Sequence, residues 1–352
     1  MQAQERLENL AFPDRDPSLR ALIARLSEPD AGKAADNFVS NEDSTVRVAL
    51  DLERLAPAGS VYLGVGPDQN FTAIAHARPR LAFILDRRRR NLRLHLLHKG
   101  LLALANDRID YLRRLTAREP VGALGGDATP EAIVDAFRAA RFDRSRLDVE
   151  IARVREVVEP LGILEPAEFA DLATIQARLA GPGLDARFLA LPIYPTSARA
   201  ILTRAGERRP HWLASSSTFA RVRDLERSDR LVPLTADFAG PTALRRTGEW
   251  LRAHRLEVGV FYVSDVEFFL LRAGRFADYV ANLSALPWAA GAVIVRTSTR
   301  EIDHPERRSG ESSTTVIRAA ERFLARAERG EIASVDDLFE REGGRESLEG
   351  FR

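Results

Sequence analysis

The stretch between residues 60 and 86 constrains the fold more than any other part of this 352-residue chain. The run Ser60–Gly66 (SVYLGVG) is apolar and ends in glycines, which is typical of a buried strand that enters a tight turn. A second apolar run, Leu81–Asp86 (LAFILD), predicts another buried strand, closed by an acid. Leucines at helical spacing then predict a long helix over Arg88–Asn106. This order of elements is typical of the opening of a parallel α/β sheet.

The same alternation returns in the second half of the chain. It predicts strands at Leu231–Phe238, Val258–Ser264 and Gly291–Val295, with helices at Thr242–His254 and Phe276–Leu286 between them. From Asp107 to about Gly183 the pattern is helical, and Leu147–Val158 and Phe169–Leu179 are its clearest helices. This segment is too long for an ordinary connection, so we expect a helical insertion.

We therefore expect an α/β, Rossmann-like fold with a central, mainly parallel sheet. The expected units are an N-terminal helical segment (1–58), a first part of the core (59–106), the helical insertion (107–190), a second part of the core (191–300) and a C-terminal tail (301–352). Either Asp16 or Ser18 is the expected cap of the first helix, and the tail is expected to carry one helix, Thr315–Ala327.

Composition excludes several function classes. The 52 Lys and Arg residues balance 51 Asp and Glu, so no global charge attracts nucleic acid or an anionic membrane. The absence of cysteine excludes disulfides, thiolate metal sites and cysteine nucleophiles. No run of about 18 apolar residues predicts a membrane span, and no apolar targeting core begins the chain. We expect a cytoplasmic protein. We also expect no metal, although His95 and His98 have compatible spacing, because no third ligand accompanies them.

Unusual residues follow four of the predicted strands, at the end where open parallel sheets bind ligands. They are Gly64 and Gly66, Asp86, Asp237–Phe238, and Tyr262–Asp265. Paired glycines allow a sharp turn and a close approach of a ligand. An acid twenty residues after Gly66 can accept hydrogen bonds from ribose hydroxyls. The last glycine of the dinucleotide fingerprint would fall on Gln69, which favours a nucleoside without phosphates.

Two further positions complete a nucleoside site. The carboxylate of Asp237 can accept from an exocyclic amine, and Phe238 can pack on a purine face. The alternatives are a tight turn with a solvated acid at the first strands, and a strand-end acid with a core phenylalanine here.

This series of a GxG turn, a second-strand acid, a later Asp-Phe and a polar fourth strand end resembles class I S-adenosylmethionine-dependent methyltransferases. The sequence also resembles a family of uncharacterised bacterial proteins with that core, over roughly residues 36 to 300. The stretches that carry this resemblance are Phe38–Glu42, Tyr62–Phe71, Tyr194–Thr196, Asp237–Pro241 and Phe261–Glu267. The resemblance implies a methyltransferase-like fold and S-adenosylmethionine as cofactor, but no established reaction.

The first methyltransferase motif differs here at two positions. It usually starts with an acid where this chain has Tyr62, and it usually ends in a glycine where this chain has Asp68. That acid contributes to holding the cofactor's ammonium; Asp68 can take over its role, or the cofactor is lost or altered. The residues expected at the cofactor are Tyr62, Gly64, Gly66, Asp68, Asn70, Asp86, Arg87, Asp237, Phe238 and Ser264.

Methyl transfer needs a nucleophile held in line, shielded from water and sometimes deprotonated. Tyr262 and Ser264 share one side of the fourth strand, and Asp265 or Glu267 can serve as a base or hold a substrate cation. We expect Tyr262, Asp265 and Glu267 to be catalytic. The alternative is that Ser264 or Asp265 caps the next helix.

Three residues are expected at the substrate: Asn41, Glu42 and Tyr194. The alternatives are a helix cap at Asn41 and Glu42, and a simple turn at Tyr194. The tract Arg87–Arg90 is expected to be a solvated helix start rather than a site for an anionic substrate or RNA.

The sequence thus predicts a methyltransferase that acts on a small molecule, with no nucleic-acid or membrane partner. A non-catalytic nucleoside-binding or regulatory protein is the main alternative. A nicotinamide-dependent oxidoreductase is the third interpretation, and the glycine pattern weakens it.

Overall fold

The computed structural model describes residues 18–32, 37–299, 302 and 304–339. The expected cap Asp16 lies outside these residues. The other expected cap, Ser18, accepts a hydrogen bond from the N–H of Ala21 and begins the first described helix.

The core is a six-stranded sheet in the order β3-β2-β1-β4-β5-β6. Its strands are β1 (Val61–Gly64), β2 (Leu81–Asp86), β3 (Leu231–Thr235), β4 (Val258–Ser264), β5 (Trp288–Ser298) and β6 (Thr314–Ala319). The strands β1 to β5 run parallel to one another, and β6 pairs antiparallel with β5. The expectation of a central, mainly parallel α/β sheet is confirmed. The strand order reverses between β1 and β4, which is the place where open α/β sheets bind ligands.

The helices of the described residues flank this sheet. They are α1 (Leu19–Leu26), α2 (Ser44–Val48), α3 (Leu52–Leu55), α4 (Gln69–Ala77), α5 (Arg89–Leu104), α6 (Arg108–Thr116), α7 (Pro130–Ala139), α8 (Arg144–Val158), α9 (Glu168–Ala180), α10 (Ser197–Leu202), α11 (Ser216–Arg227), α12 (Ala243–Ala253), α13 (Val266–Arg272), α14 (Phe276–Ser284), α15 (Ala320–Glu328) and α16 (Val335–Phe339). Right-handed crossovers put α4 and α5 on one face and α12 and α14 on the other. Consistently, α5 packs against α8 and α11, whereas α12 packs against α1 and α14.

The C-terminal expectation of one helix from Thr315 is wrong. The residues Thr314–Ala319 form β6 instead, and the helix α15 begins only at Ala320. This stretch begins with four β-branched residues, which suit a strand, and Ile317 pairs with Val295 of β5. This part of the polar tail therefore forms the last strand of the sheet, because the long strand β5 provides hydrogen-bonding partners for β6.

The arginines that open α5 bind the helical segment, which corrects the expectation of a solvated helix start. Arg89 Nε lies 2.6 Å from Glu168 Oε1, and Arg90 Nε lies 2.9 Å from Asp171 Oδ1. Arg93 contacts both acids. These charged pairs connect α9 to the core helix α5.

Candidate functional site

The chain before α2 runs across the carboxyl edge of the sheet. We call residues 27–32 and 37–43 the N-terminal strap. Its Glu28 N–H donates to the carbonyl of Thr235 at 2.7 Å, and Ala31 N–H donates to the carbonyl of Arg87 at 3.2 Å. At its far end, Asp43 Oδ2 accepts from the N–H of Ser312 at 2.9 Å. The strap therefore covers the ends of β3 and β2 and is anchored beside β6.

The turn between β1 and α4 is held from within by Asn70. Its amide nitrogen donates to the carbonyls of Val65 at 2.9 Å and Pro67 at 2.8 Å, and its Oδ1 accepts from Tyr62 Oη at 2.9 Å. A Cβ on Gly64 would lie 2.0 Å from that same Oδ1. Tyr62, Gly64 and Asn70 therefore build the turn from within.

Gly66 has a φ of +86°, a backbone conformation that favours glycine. Its carbonyl oxygen lies 2.9 Å from His95 Nε2, so a buried histidine fixes the tip of the turn. The next acid, Asp68, is half-buried at the N-cap position of α4 but makes no capping hydrogen bond with its side chain.

The acid that ends β2 is bound by the chain itself. Asp86 is 2 % exposed, and its carboxylate accepts from Arg88 through the backbone N–H at 2.9 Å, Nε at 2.8 Å and Nη2 at 2.6 Å. The neighbouring Arg87 is exposed and donates to the carbonyl of Ala31 in the strap. Asp86 thus has the expected place, with a guanidinium where a ribose was expected.

The Asp-Phe pair after β3 is also engaged. Asp237 Oδ2 accepts from Arg275 Nη1 at 2.7 Å. The ring of Phe238 is buried, with its centroid 4.9 Å from that of Phe261, and it stacks on Tyr279. Asp237 lies two residues beyond the end of β3, and Phe238 belongs to the core as this structure stands.

A cluster of polar side chains lies where the strand order reverses. We call Glu42, Tyr262, Ser264 and Asp265 the switch-point cluster. The carboxylate of Glu42 accepts from the hydroxyl of Tyr262 on one oxygen and from that of Ser264 on the other. Gln69 Nε2 lies 3.4 Å from Tyr262 Oη, which joins the cluster to the β1–α4 turn. The strap and β4, more than 200 residues apart in sequence, thus meet through one buried carboxylate.

Burial raises the pKa values of the carboxyl groups in and beside this cluster. Desolvation, followed by the negative charge of Asp265, raises the pKa of Glu42 to about 7, against the opposing hydrogen bonds from Ser264 and Tyr262. Desolvation also raises the pKa of Asp265 above its ordinary range, and that of Asp68 to about 6. A carboxylate with a pKa near neutrality is suited to general acid and base chemistry.

The turn after β4 presents the cluster rather than capping a helix. Ser264 has a φ of +55°, an uncommon conformation for a residue with a side chain, of the kind found at functional sites. Asp265 is the N-cap residue of α13 but makes no capping hydrogen bond with its side chain. Similarly, Glu42 turns inward, while α2 begins after Asp43 without a side-chain cap.

Two expected site residues lie apart from the cluster. Glu267 is buried in an ion pair, with its Oε2 2.7 Å from Arg296 Nε and its Oε1 accepting from Tyr279 Oη at 3.0 Å. Tyr194 packs against Phe188 with ring centroids 5.0 Å apart. The remaining expected substrate residue, Asn41, is half-buried and directly precedes Glu42 in the chain.

A narrow cavity of about 50 Å3 lies beside the cluster, between α4, α6 and residues 183–201. Glu42, Asp68 and Gln69 line its polar side. The remaining wall is mostly apolar and includes Tyr111, Leu112, Leu115, Leu184, Ile201, His211 and Trp212. Sequence reasoning missed Tyr111 and Trp212, because each has the pattern of an ordinary core residue.

The histidines at metal-compatible spacing are both buried and neutral. Desolvation lowers the pKa of His95 to about 4 and that of His98 to about 3. His98 Nδ1 lies 2.8 Å from Tyr111 Oη. Within the described ranges, no three His, Asp or Glu side chains are grouped as metal ligands. No helix of those ranges has the length and apolar character needed to cross a membrane.

Residues 37–350 match the model of a protein family described as a domain of unknown function, DUF7790. The match covers most of the chain, so the chain belongs to that family. No curated protein matches it.

Proposed function

We propose that this protein is an S-adenosylmethionine-dependent methyltransferase that acts on a small molecule beneath the N-terminal strap and the helical segment. The switch-point cluster carries the proposal. It brings a buried carboxylate with a pKa near 7 to the reversal of strand order, where a sheet of this kind binds its ligands. The order β3-β2-β1-β4-β5 and the glycine turn after β1 support the same class of cofactor.

The residues around the turn fit the cofactor in part. Gly66 adopts the positive φ that this turn needs, and the carboxylate of Asp68 beside it makes no capping hydrogen bond. Asp86 can accept from ribose hydroxyls only if Arg88 turns away, and the side chain of Arg88 is 17 % exposed, at the rim of the site. Cofactor binding therefore exchanges an internal ion pair for hydrogen bonds to the ligand.

The chemistry of the cluster follows from its proton-accepting group. When bound, S-adenosylmethionine supplies an electrophilic methyl carbon, whose bond to sulfur breaks as the bond to the acceptor forms. Glu42 takes the proton released by the acceptor on a carboxylate oxygen. Tyr262 and Ser264 hold that carboxylate in place. The strap and residues 183–201 exclude water from it.

A second candidate function is a nucleoside-binding or regulatory protein without catalysis. One observation favours it: the ion pairs of Asp86 with Arg88 and of Asp237 with Arg275, together with the buried ring of Phe238, fill the adenosine end with the chain's own groups. Such a protein would bind an adenosyl ligand and transfer no methyl group.

Methyl transfer from labelled S-adenosylmethionine to a small-molecule extract separates the two candidates. We expect label in the small-molecule fraction with the wild-type protein and a loss of at least roughly tenfold with Glu42→Gln. The matched control Glu249→Gln, on the exposed face of α12, keeps the wild-type rate. Binding of the ligand without any transfer of label would contradict the enzyme and favour the second candidate.

A further inference from the structure

The cavity beside the switch-point cluster has a charge unlike that of the rest of the protein. The chain contains 52 Lys and Arg residues, yet none of them lines the cavity, and burial lowers the pKa of the one lining histidine, His211, to about 3. Two carboxylates, those of Glu42 and Asp68, face it. An anion would therefore enter without a partner and against two acids, whereas a cation would find complementary groups.

Asp68 is the clearest of these groups. Its carboxylate does not cap α4, and no basic side chain of the described residues forms an ion pair with it. Desolvation, followed by the negative charge of Asp68, raises the pKa of Tyr111, another wall residue of the cavity. Desolvation raises the pKa of Asp68 to about 6, the behaviour of a carboxylate that lacks a counter-charge.

Two further polar atoms at the cavity lack partners among the described residues. Gln69 Oε1 is a buried acceptor without a donor, and Trp212 Nε1 is a buried donor without an acceptor. Buried polar groups are nearly always paired, so each such atom requires an explanation. An ammonium can donate to Gln69 Oε1 in addition to the carboxylates, and a hydroxyl or a water molecule satisfies the indole N–H.

The apolar wall suits the rest of such a ligand. Tyr111 and Trp212 are fully buried aromatic residues with ring centroids 5.1 Å apart, and leucines adjoin them. Aromatic faces attract organic cations as well as apolar groups. The cavity thus combines an acidic end with an aromatic and aliphatic end.

The cavity is closed in this structure, and a segment with strained backbone angles covers it. About 50 Å3 holds a few water molecules, whereas organic ligands need several hundred. Residues 186–197, which we call the flap, contribute Ala186, Pro195 and Thr196 to the wall. Within the flap, Leu189 and Ala190 have left-handed backbone angles, and Ile193 is 71 % exposed. A strained segment that buries little apolar surface opens at low cost.

We propose that this cavity binds a small organic amine as its cation, with the ammonium between Asp68, Gln69 and Glu42, the apolar body against Tyr111 and Trp212, and the flap opening to admit it. The inference names the acceptor class of the proposed methyltransferase and rests on that proposal for its reaction, in which the bound ammonium first gives a proton to Glu42 and the lone pair of the neutral amine then forms the bond to the methyl carbon. Binding of the amine stands on the cavity alone.

Calorimetric titration with benzylamine and with its neutral analogue benzyl alcohol tests the inference without any cofactor. At neutral pH we expect benzylamine to bind at least roughly tenfold more tightly than the alcohol, a difference of one charged contact. Asp68→Asn removes most of this preference. The control Asp135→Asn, an exposed residue of α7, keeps it.

Equal binding of the two probes by the wild-type protein, or an unchanged preference in a folded Asp68→Asn variant, would overturn the inference. The wild-type comparison remains decisive if that variant does not fold. Failure of benzylamine to bind would overturn the inference and leave the proposed function to be tested by titration with the adenosyl ligand. Conversely, amine binding without adenosyl binding would overturn the proposed function and leave the cavity assignment standing.

Discussion

Replacement of Glu42 by Gln isolates the most unusual electrostatic feature of the site. The side chain keeps nearly the same shape, and its carbonyl oxygen still accepts from Tyr262 or Ser264. The variant removes only the ability to ionise and one accepting oxygen. Any effect that depends on pH then reports the buried charge.

The size of that effect follows from the pKa of Glu42. Burial raises it from 4.5 to about 7. At about 1.4 kcal/mol for each pH unit, this difference costs the folded state roughly 3 kcal/mol once the group is ionised. Between these two values the folded protein holds a proton that the unfolded chain has released. The free energy of unfolding therefore falls as the pH rises through this window and stops falling above it.

Urea unfolding followed by circular dichroism, at several pH values from about 4.5 to about 8, measures the effect. We expect the stability of Glu42→Gln relative to the wild type to rise by roughly 3 kcal/mol over that range. The loss of one hydrogen bond to Tyr262 or Ser264 changes the free-energy difference between variant and wild type by the same amount at every pH. The exposed control Glu249→Gln should show no such trend. A difference between Glu42→Gln and the wild type that is independent of pH would refute the buried, near-neutral carboxylate.

Three further changes test the turn, the core and the cofactor site. Gly66→Ala forces a side chain into a φ of +86° and should destabilise the protein by about 1–3 kcal/mol in urea unfolding; an unchanged midpoint would show that the turn relaxes freely. Lys99→Met leaves the buried carboxylate of Glu226, whose Oε2 lies 3.2 Å from Lys99 Nζ, without this cation. The free energy of unfolding should fall by about 3–5 kcal/mol in the same measurement, whereas a loss below about 1 kcal/mol would count against a buried ion pair. Arg88→Ala frees the carboxylate of Asp86 and should tighten S-adenosylhomocysteine binding at least roughly twofold by calorimetry; weaker binding would mean that Arg88 itself holds the ligand.

The strands of the core were predictable because their signal is local. The runs Leu81–Asp86 and Val258–Ser264 are continuous and apolar, and the structure places β2 and β4 at those bounds. Parallel strands buried on both faces have this pattern wherever they occur. β6 has no such run, since a Thr-rich strand at the edge depends on its neighbour β5 for its hydrogen bonds.

The candidate site was predictable in position and less so in its contacts. Once the strands are parallel, the carboxyl ends meet, and this brings the Tyr262–Asp265 turn next to the β1–α4 turn. The pairing of Asp86 with Arg88 rather than with a ligand depends on a side-chain choice that spacing does not reveal. The inward turn of Glu42 depends on the path of the strap, which only the folded chain defines.

The cavity shows the limit of sequence reasoning most clearly. Asp68 was singled out as a turn residue that differs from a family pattern. Its partners across the cavity, Tyr111 and Trp212, come from segments about 40 and 140 residues away along the chain. Neither segment has a pattern that distinguishes a cavity wall from a core, because both bury aromatic residues.

Calorimetric titration of the wild-type protein with S-adenosylhomocysteine tests the central claim most directly. We expect saturable binding with a dissociation constant well below about 1 mM, and a loss of at least roughly tenfold in affinity with Asp86→Ala. NAD(H), titrated in parallel, should bind more weakly than the adenosyl ligand. The absence of binding by both S-adenosylhomocysteine and S-adenosylmethionine up to about 1 mM would contradict the account.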